Sequence, residues 1–258
     1  MDLGLADRVA FVAGSSRGIG RAVAHAFAAE GARVVVTGRD PDPLADAVGA
    51  LELEAGTGRV LGIAADLSTE GGVRAALARV DERWGAVDCL VANVGSGSVR
   101  QGWELGPDEW DAVLRANLWG AVALTEAALP RMAAAGRGAV VYVASIAGLE
   151  RLGAPLSYAV AKSALATYAK EVAARVAGCG VRVNCVAPGN VLFPGGSWER
   201  KLAADEAGVR AFVEREVPMR RFGTPREIAD LVVFLASERA SFVTGACWVA
   251  DGGQTRAY

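Results

Sequence analysis

Histidine is almost absent from this chain: His25 is the one histidine in 258 residues. It falls in an expected helix with no catalytic partner in view, so a surface or packing role is expected. Cysteine is scarce too. Cys89, Cys179, Cys185 and Cys247 are scattered and form no C-x-x-C pair, which argues against a zinc site or a disulfide framework, and no metal is expected. Cys89, Cys185 and Cys247 lie in apolar runs and are expected to be small buried hydrophobes. Neither sign of charge dominates, with 27 basic and 29 acidic residues giving −2. There is thus no field to attract nucleic acid or an anionic membrane. No apolar run approaches the roughly 20 residues that cross a bilayer. The segment Met1–Arg8 has no basic stretch leading into an apolar one, so no secretory signal is read there. A soluble, cytoplasmic protein is expected, without a membrane or nucleic-acid partner.

What the chain has is glycine, 32 residues of it, much of it where short apolar runs hand over to helical patterns. Strands are expected at Val9–Ala13, Arg33–Thr37, Val60–Ala64, Cys89–Ala92, Ala139–Ala144, Arg182–Val186 and Ala246–Val249. Helical spacing marks Gly20–Glu30, Pro43–Leu53, Gly71–Trp84, Pro107–Ala134, Ser157–Val176 and Pro225–Ala236. This βαβ rhythm implies a mostly parallel, seven-stranded sheet covered by helices on both faces, an α/β three-layer sandwich. Without repeats or linkers, residues 1–258 read as one domain, and the irregular stretch 190–219 as a loop with short helices near the ligand side.

Gly14-x-x-x-Gly18-x-Gly20 follows the first strand and opens the first helix. Glycine there lets the backbone approach a pyrophosphate, and the helix N-terminus offers free N–H groups and a positive dipole end. The spacing differs from the commoner G-x-G-x-x-G fingerprint, so a tight turn without a ligand is the alternative for this motif alone. At the end of the second strand an acid would bind the ribose hydroxyls of NAD. This chain has Gly38 there, followed by Arg39, a guanidinium suited to the 2′-phosphate of NADP. Arg17, inside the glycine turn, is a second candidate for the same phosphate.

Tyr158 and Lys162 stand four residues apart on an expected helix and share one face of it. Ser145 ends the fifth strand. Hydride transfer to a carbonyl leaves charge on oxygen that a placed acid must quench. A phenol with a pKa of about 10 becomes useful when a neighbouring ammonium favours its phenolate. Ser145 can stabilise the developing charge. Taken alone, each residue has a plainer reading: a packed tyrosine, a solvated lysine, a strand-end serine.

In order along the chain, Ala13–Gly20, Asp66-Leu67, Ala92-Asn93-Val94-Gly95, Asn117, Ser145, Tyr158-Ala159-Val160-Ala161-Lys162, Pro188-Gly189 and Val249–Gly253 resemble the short-chain dehydrogenase/reductases. The likeness is to the single-domain, 3-oxoacyl reductase-like type and covers nearly the whole chain. It implies a Rossmann-type fold with Gly14, Ser16, Gly18, Ile19 and Gly20 at the pyrophosphate and ribose, and Asp66 and Leu67 at the adenine. Asn93 and Gly95 would support the nicotinamide side, and Pro188, Gly189 and Val191 the nicotinamide amide. Tyr158 and Lys162 would touch both coenzyme and substrate, and Asn117 would complete a proton relay through a water. The Tyr-x-x-x-Lys spacing argues against the related enoyl reductases. Two positions depart from the family pattern. Val94 replaces an alanine, and Phe193 stands where a threonine often binds the carboxamide.

The reading is therefore an NADP(H)-dependent oxidoreductase acting on a carbonyl or secondary alcohol, on a medium-sized ketone or a 3-oxoacyl substrate that is free or thioester-bound. An NAD-dependent polyol, sugar or hydroxysteroid-type alcohol dehydrogenase is the alternative. A nucleotide sensor without turnover is disfavoured because Tyr158 and Lys162 are both kept. Trp103 and Trp198 either pack loops onto the core or line the pocket. Arg131, Arg137 and Arg175 are candidate contacts for an acyl carrier protein. Alanine-rich faces at 121–128 and 159–169 suit a homo-oligomer, dimer or tetramer, with Tyr258 near an interface.

Overall fold

The computed structural model describes residues 2–256; Met1 and Tyr258, and the readings that fall on them, lie outside. Seven strands form one sheet: β1 (Val9–Ala13), β2 (Arg33–Gly38), β3 (Val60–Ala64), β4 (Cys89–Ala92), β5 (Gly138–Val143), β6 (Val181–Pro188) and β7 (Cys247–Ala250). Their order is β3-β2-β1-β4-β5-β6-β7, and every pairing is parallel. Side chains alternate across it as a pleated strand demands. On β1, Ala10 and Val12 enter one core, while Val9, Phe11 and Ala13 enter the other.

Three helices, α1 (Gly18–Ala29), α2 (Pro41–Ala55) and α9 (Pro225–Ala236), bring Phe27, Leu51 and Ile228 to the first core. On the opposite face α3 (Glu70–Trp84), α5 (Gly120–Ala134) and α6 (Leu156–Val176) contribute Val73, Leu124 and Leu165. This is the expected three-layer Rossmann-type sandwich. Burial of each such side chain is worth about 1.5–3 kcal/mol.

The helix expected over 107–134 is broken. It runs as α4 (Pro107–Leu114), a π-helical turn over Arg115–Trp119, and then α5. Stretch 190–219 holds two short helices, α7 (Ser197–Ala204) and α8 (Glu206–Glu216). Its base is pinned where Leu192 N donates to Gly223 O at 3.0 Å and Gly223 N to Asn190 O at 2.9 Å. Gly223 directly precedes the capping box of α9, in which Thr224 and Glu227 cap each other's backbone N–H groups.

Two further sequence expectations change, those for Cys247 and Trp103. Cys247 is exposed because β7 is an edge strand, although Cys89 and Cys185 are buried. Trp103 is 78% exposed and neither packs a loop onto the core nor lines the groove described below. His25 pairs with Glu54 at 2.8 Å. Arg131, Arg137 and Arg175 are each engaged by an acid of this chain, Asp81, Asp88 and Glu171 respectively. Among the described residues no helix is long and apolar enough to cross a membrane, and no metal-binding cluster occurs.

Candidate active site

The strand order reverses between β1 and β4, and in a doubly wound sheet a ligand crevice opens beyond the carboxyl ends of such strands. A groove of about 1170 Å³ lies there. Every residue singled out above for coenzyme binding or catalysis lines it, except Gly20 and Asn117. Those two lie behind its wall.

Gly20 is held by close packing. A Cβ on it would stand 2.3 Å from Gly14 O and 2.5 Å from Asn93 Nδ2. Asn93 Nδ2 itself donates to Gly14 O at 3.0 Å, tying the end of β4 to the glycine turn. The turn is fixed from below as well. Gly14 N donates to Thr37 Oγ1 at 2.9 Å, and the fully buried Ser15 donates from Oγ to Val12 O at 2.6 Å. Gly14 and Gly18 have φ of +63° and +58°, which a side chain would strain.

The residue preceding α1, Arg17, makes no side-chain cap, and the first turn carries no acid. The free N–H groups and dipole of α1 therefore face the groove without a protein anion, whereas Thr69, Asp205 and Thr224 cap α3, α8 and α9. That absence of Cβ atoms and of a cap fits a dinucleotide pyrophosphate.

At the adenine end Asp66 accepts from Ser68 N at 3.0 Å and from Ser68 Oγ at 2.7 Å. These bonds hold its carboxyl below the usual range, with the Arg39 guanidinium adding to the effect. A Cβ on Gly38 would come within 3.1 Å of Ser16, so β2 ends without room for a larger side chain unless Ser16 gives way. Arg17 lines the same groove, and its Nη1 would lie 3.7 Å from a Cβ on Gly195, in the turn before α7.

Ser145, Tyr158 and Lys162 form the other part of the wall. Ser145 Oγ accepts from Ala147 N at 3.2 Å, and Ser145 is near enough to Tyr158 to favour its phenolate. Lys162, only 4% exposed, donates from Nζ to Val143 O at 2.9 Å and lies 5.9 Å from the Tyr158 ring centroid. Burial lowers the Lys162 pKa to about 8. Burial also pushes the Tyr158 phenol above its ordinary value, against the opposing effect of Ser145. Desolvation of the phenol thus dominates, and the ammonium effect expected from the i, i+4 spacing is not among the causes of its shift.

The π turn delivers Asn117. Its Oδ1 accepts from Ser96 N at 3.1 Å, and its Nδ2 donates to Val113 O at 3.1 Å. Gly95 makes room for this: a Cβ there would stand 2.6 Å from Asn117 Oδ1 and 3.0 Å from Lys162 Nζ. Gly148 plays the matching part beneath α6, where a Cβ would press to 2.6 Å on the Lys162–Ser163 backbone.

Phe193, Trp198 and Phe212 line the groove, with Trp198 stacked on Phe212 at 5.6 Å between centroids. Sequence reasoning did not pick out Gln254, which lines the groove and accepts from Asn190 Nδ2 at 2.8 Å. The two are 64 residues apart and no local pattern joins them.

A parallel sheet with a glycine turn at its switch point and a Ser/Tyr/Lys wall defines the class of nicotinamide-dependent oxidoreductases. Comparison with known proteins narrows this. The family model described as enoyl-(acyl carrier protein) reductase matches residues 13–255. A 2-(R)-hydroxypropyl-CoM dehydrogenase of Xanthobacter autotrophicus is 36% identical over 96% of this chain and 98% of its own. A cis-4-hydroxycyclohexanecarboxylate dehydrogenase of Sinomonas cyclohexanicum is 38% identical over 97% of each. Among solved structures, L-sorbose reductase of Gluconobacter frateurii, complexed with NADPH and L-sorbose, superposes with a TM-score of 0.94 at 36% identity over all of both chains. The chain belongs to the short-chain dehydrogenase/reductase family, whose members here are oxidoreductases acting on alcohols and ketones.

Proposed function

We propose that this chain is an NADP(H)-dependent reductase of a medium-sized ketone, with 3-oxoacyl compounds among the candidates. The observation that carries this reading is the placing of Ser145, Tyr158 and Lys162 along one groove with the uncapped N-terminus of α1. NADPH, when bound, supplies the hydride. Tyr158 holds the proton: its raised pKa keeps the phenol protonated at neutral pH, as a donor to a nascent alkoxide must be. Ser145 orients the carbonyl oxygen and stabilises its charge. Lys162 spends one N–H on Val143 O and keeps two for a ribose hydroxyl and for proton supply, with Asn117 closing the relay behind Gly95.

The phosphate preference rests on the end of β2. Gly38 offers no carboxylate to the ribose, and Arg39 stands at the same end of the groove as Asp66. The aromatic lining from Phe193, Trp198 and Phe212 favours a partly apolar substrate. A cyclic hydroxy acid is named for one relative and a keto sugar for another. The polar lining from Ser96, Gln101, Asn190 and Gln254 keeps polyol or sugar substrates as the second reading. The 190–219 stretch is read as a lid in a single catalytic domain, and the chain as a homo-oligomer.

The test follows coenzyme oxidation against a cyclic ketone, a 3-oxoacyl thioester and a keto sugar. NADPH turnover with one of them, lost in Tyr158→Phe and weak with NADH, is expected. Equal rates with NADH would refute the NADP assignment, and full activity in Tyr158→Phe would refute the acid role.

A further inference from the structure

Arg200 on α7 reaches across the mouth of the groove. Its Nη1 donates to Gly195 O at 3.1 Å, and its Nη2 donates to Ser98 Oγ on the loop that follows β4. Ser98 is joined to Gly97, where a Cβ would lie 3.7 Å from the Tyr158 ring. The guanidinium is thus held by two neutral oxygens, one of them on the loop that runs past Tyr158.

No carboxylate pairs with Arg200 among the described residues, although two acids are close in sequence. Glu199 accepts from Gly195 N at 2.7 Å, and Asp205 accepts from Gly208 N at 2.9 Å as the cap of α8. On α8 the pattern is different: Arg210 pairs with Glu206 at 2.8 Å and Arg215 with Glu216 at 2.7 Å. Lys201, the next residue, rests its Nζ 4.1 Å from the Trp198 ring centroid, also without an acid partner. Both cations line the groove. A guanidinium has five donors in a planar fork; two meet neutral acceptors, and the rest, on this exposed side chain, have no protein anion and stay open to solvent and to a ligand.

We propose that Arg200 receives a carboxylate of the substrate, which makes the substrate an oxo acid whose acid group is remote from the reacting carbonyl. Lys201 adds charge of the same sign, and Trp198 and Phe212 give the same groove an apolar lining for the carbon skeleton. This deepens the reductase reading and rests on it for the reaction at the other end of the molecule.

The experiment pairs linear and cyclic oxo acids with their methyl esters. With NADPH the wild type is expected to favour acid over ester in kcat/KM. Arg200→Gln should lower that acid-to-ester ratio about 100-fold and Arg200→Lys about tenfold, the scale of a bidentate charge-assisted pair and of its point-charge replacement. Calorimetry in the Tyr158→Phe background, with NADPH present, reads binding without turnover. There Arg200→Gln should weaken the acid and not the preference order among esters. If no ketone turns over but this acid-selective binding depends on Arg200, the anion site stands and the reductase reading falls. If ketones turn over with a ratio that Arg200→Gln leaves unmoved, or if no oxo acid binds better than its ester, the anion site is wrong.

Discussion

Phe193 lies on Gly18. A Cβ at Gly18 would stand 2.6 Å from the Phe193 Cε2 atom and 2.9 Å from Cζ, and one at Gly196 would meet the same ring at 3.1 Å. The ring thus abuts both the glycine turn and the residue that precedes α7. Where the family pattern often has a threonine, this chain has an aromatic ring that packs the 190–219 stretch against the glycine turn. The contact shows why Gly18 is needed twice, for its φ of +58° and for the ring above it.

A double-mutant cycle separates the two reasons. Gly18→Ala in the wild type carries left-handed backbone strain of about 1–2 kcal/mol and also displaces the ring. In Phe193→Ala only the strain remains. Urea unfolding of the four proteins should show a coupling of about 1 kcal/mol, and additivity within about 0.3 kcal/mol would refute the contact.

Self-association is expected from apolar side chains left uncovered in the isolated chain. Trp119, Leu156 and Val160 are exposed around α5 and α6, and Phe242 and Val249 beside and on the edge strand β7. Such patches mark interfaces more often than free surface. Light scattering at micromolar concentration should give a dimer or tetramer, and Phe242→Lys should lower its mass if the β7 edge is the contact. A monomer across the concentration range would contradict the proposal.

How far the sequence could be read follows from how local each signal is. Strands β1, β3 and β4 have the expected bounds because their apolar runs are closed by glycine, proline or charge within a few residues. Tyr158 and Lys162 were legible because one helix sets both, and the glycine turn because strand, turn and helix are contiguous. The π turn at Arg115–Trp119 left no mark, and the bond that Asn117 accepts there from Ser96 N joins residues 21 apart that no local pattern links. Exposure of Cys247 depends on β7 being last in the sheet. The direction of the Tyr158 shift likewise came from burial by the whole fold rather than from the lysine one turn away.

Lys162 makes that burial measurable. Its pKa falls from an ordinary 10.5 to about 8, chiefly by desolvation, with Cys185 opposing slightly. Between those two values the unfolded chain binds the proton and the folded chain releases it. Stability of the ligand-free protein must then rise with pH across that window, since the unfolded state holds more protons there. Below about pH 8 both states are protonated and the full cost of burying the ammonium is carried; above 10.5 it is gone. The span corresponds to a stability change on the order of 3 kcal/mol. Lys162→Met has no such group. The difference in unfolding free energy, wild type minus Lys162→Met, should therefore increase from pH 7.5 to about 10. A flat difference would mean that Lys162 keeps its ordinary affinity for the proton in the fold. In that case the lysine would stand as a permanent ammonium near Tyr158, and the phenol would gain a lowering beyond that from Ser145.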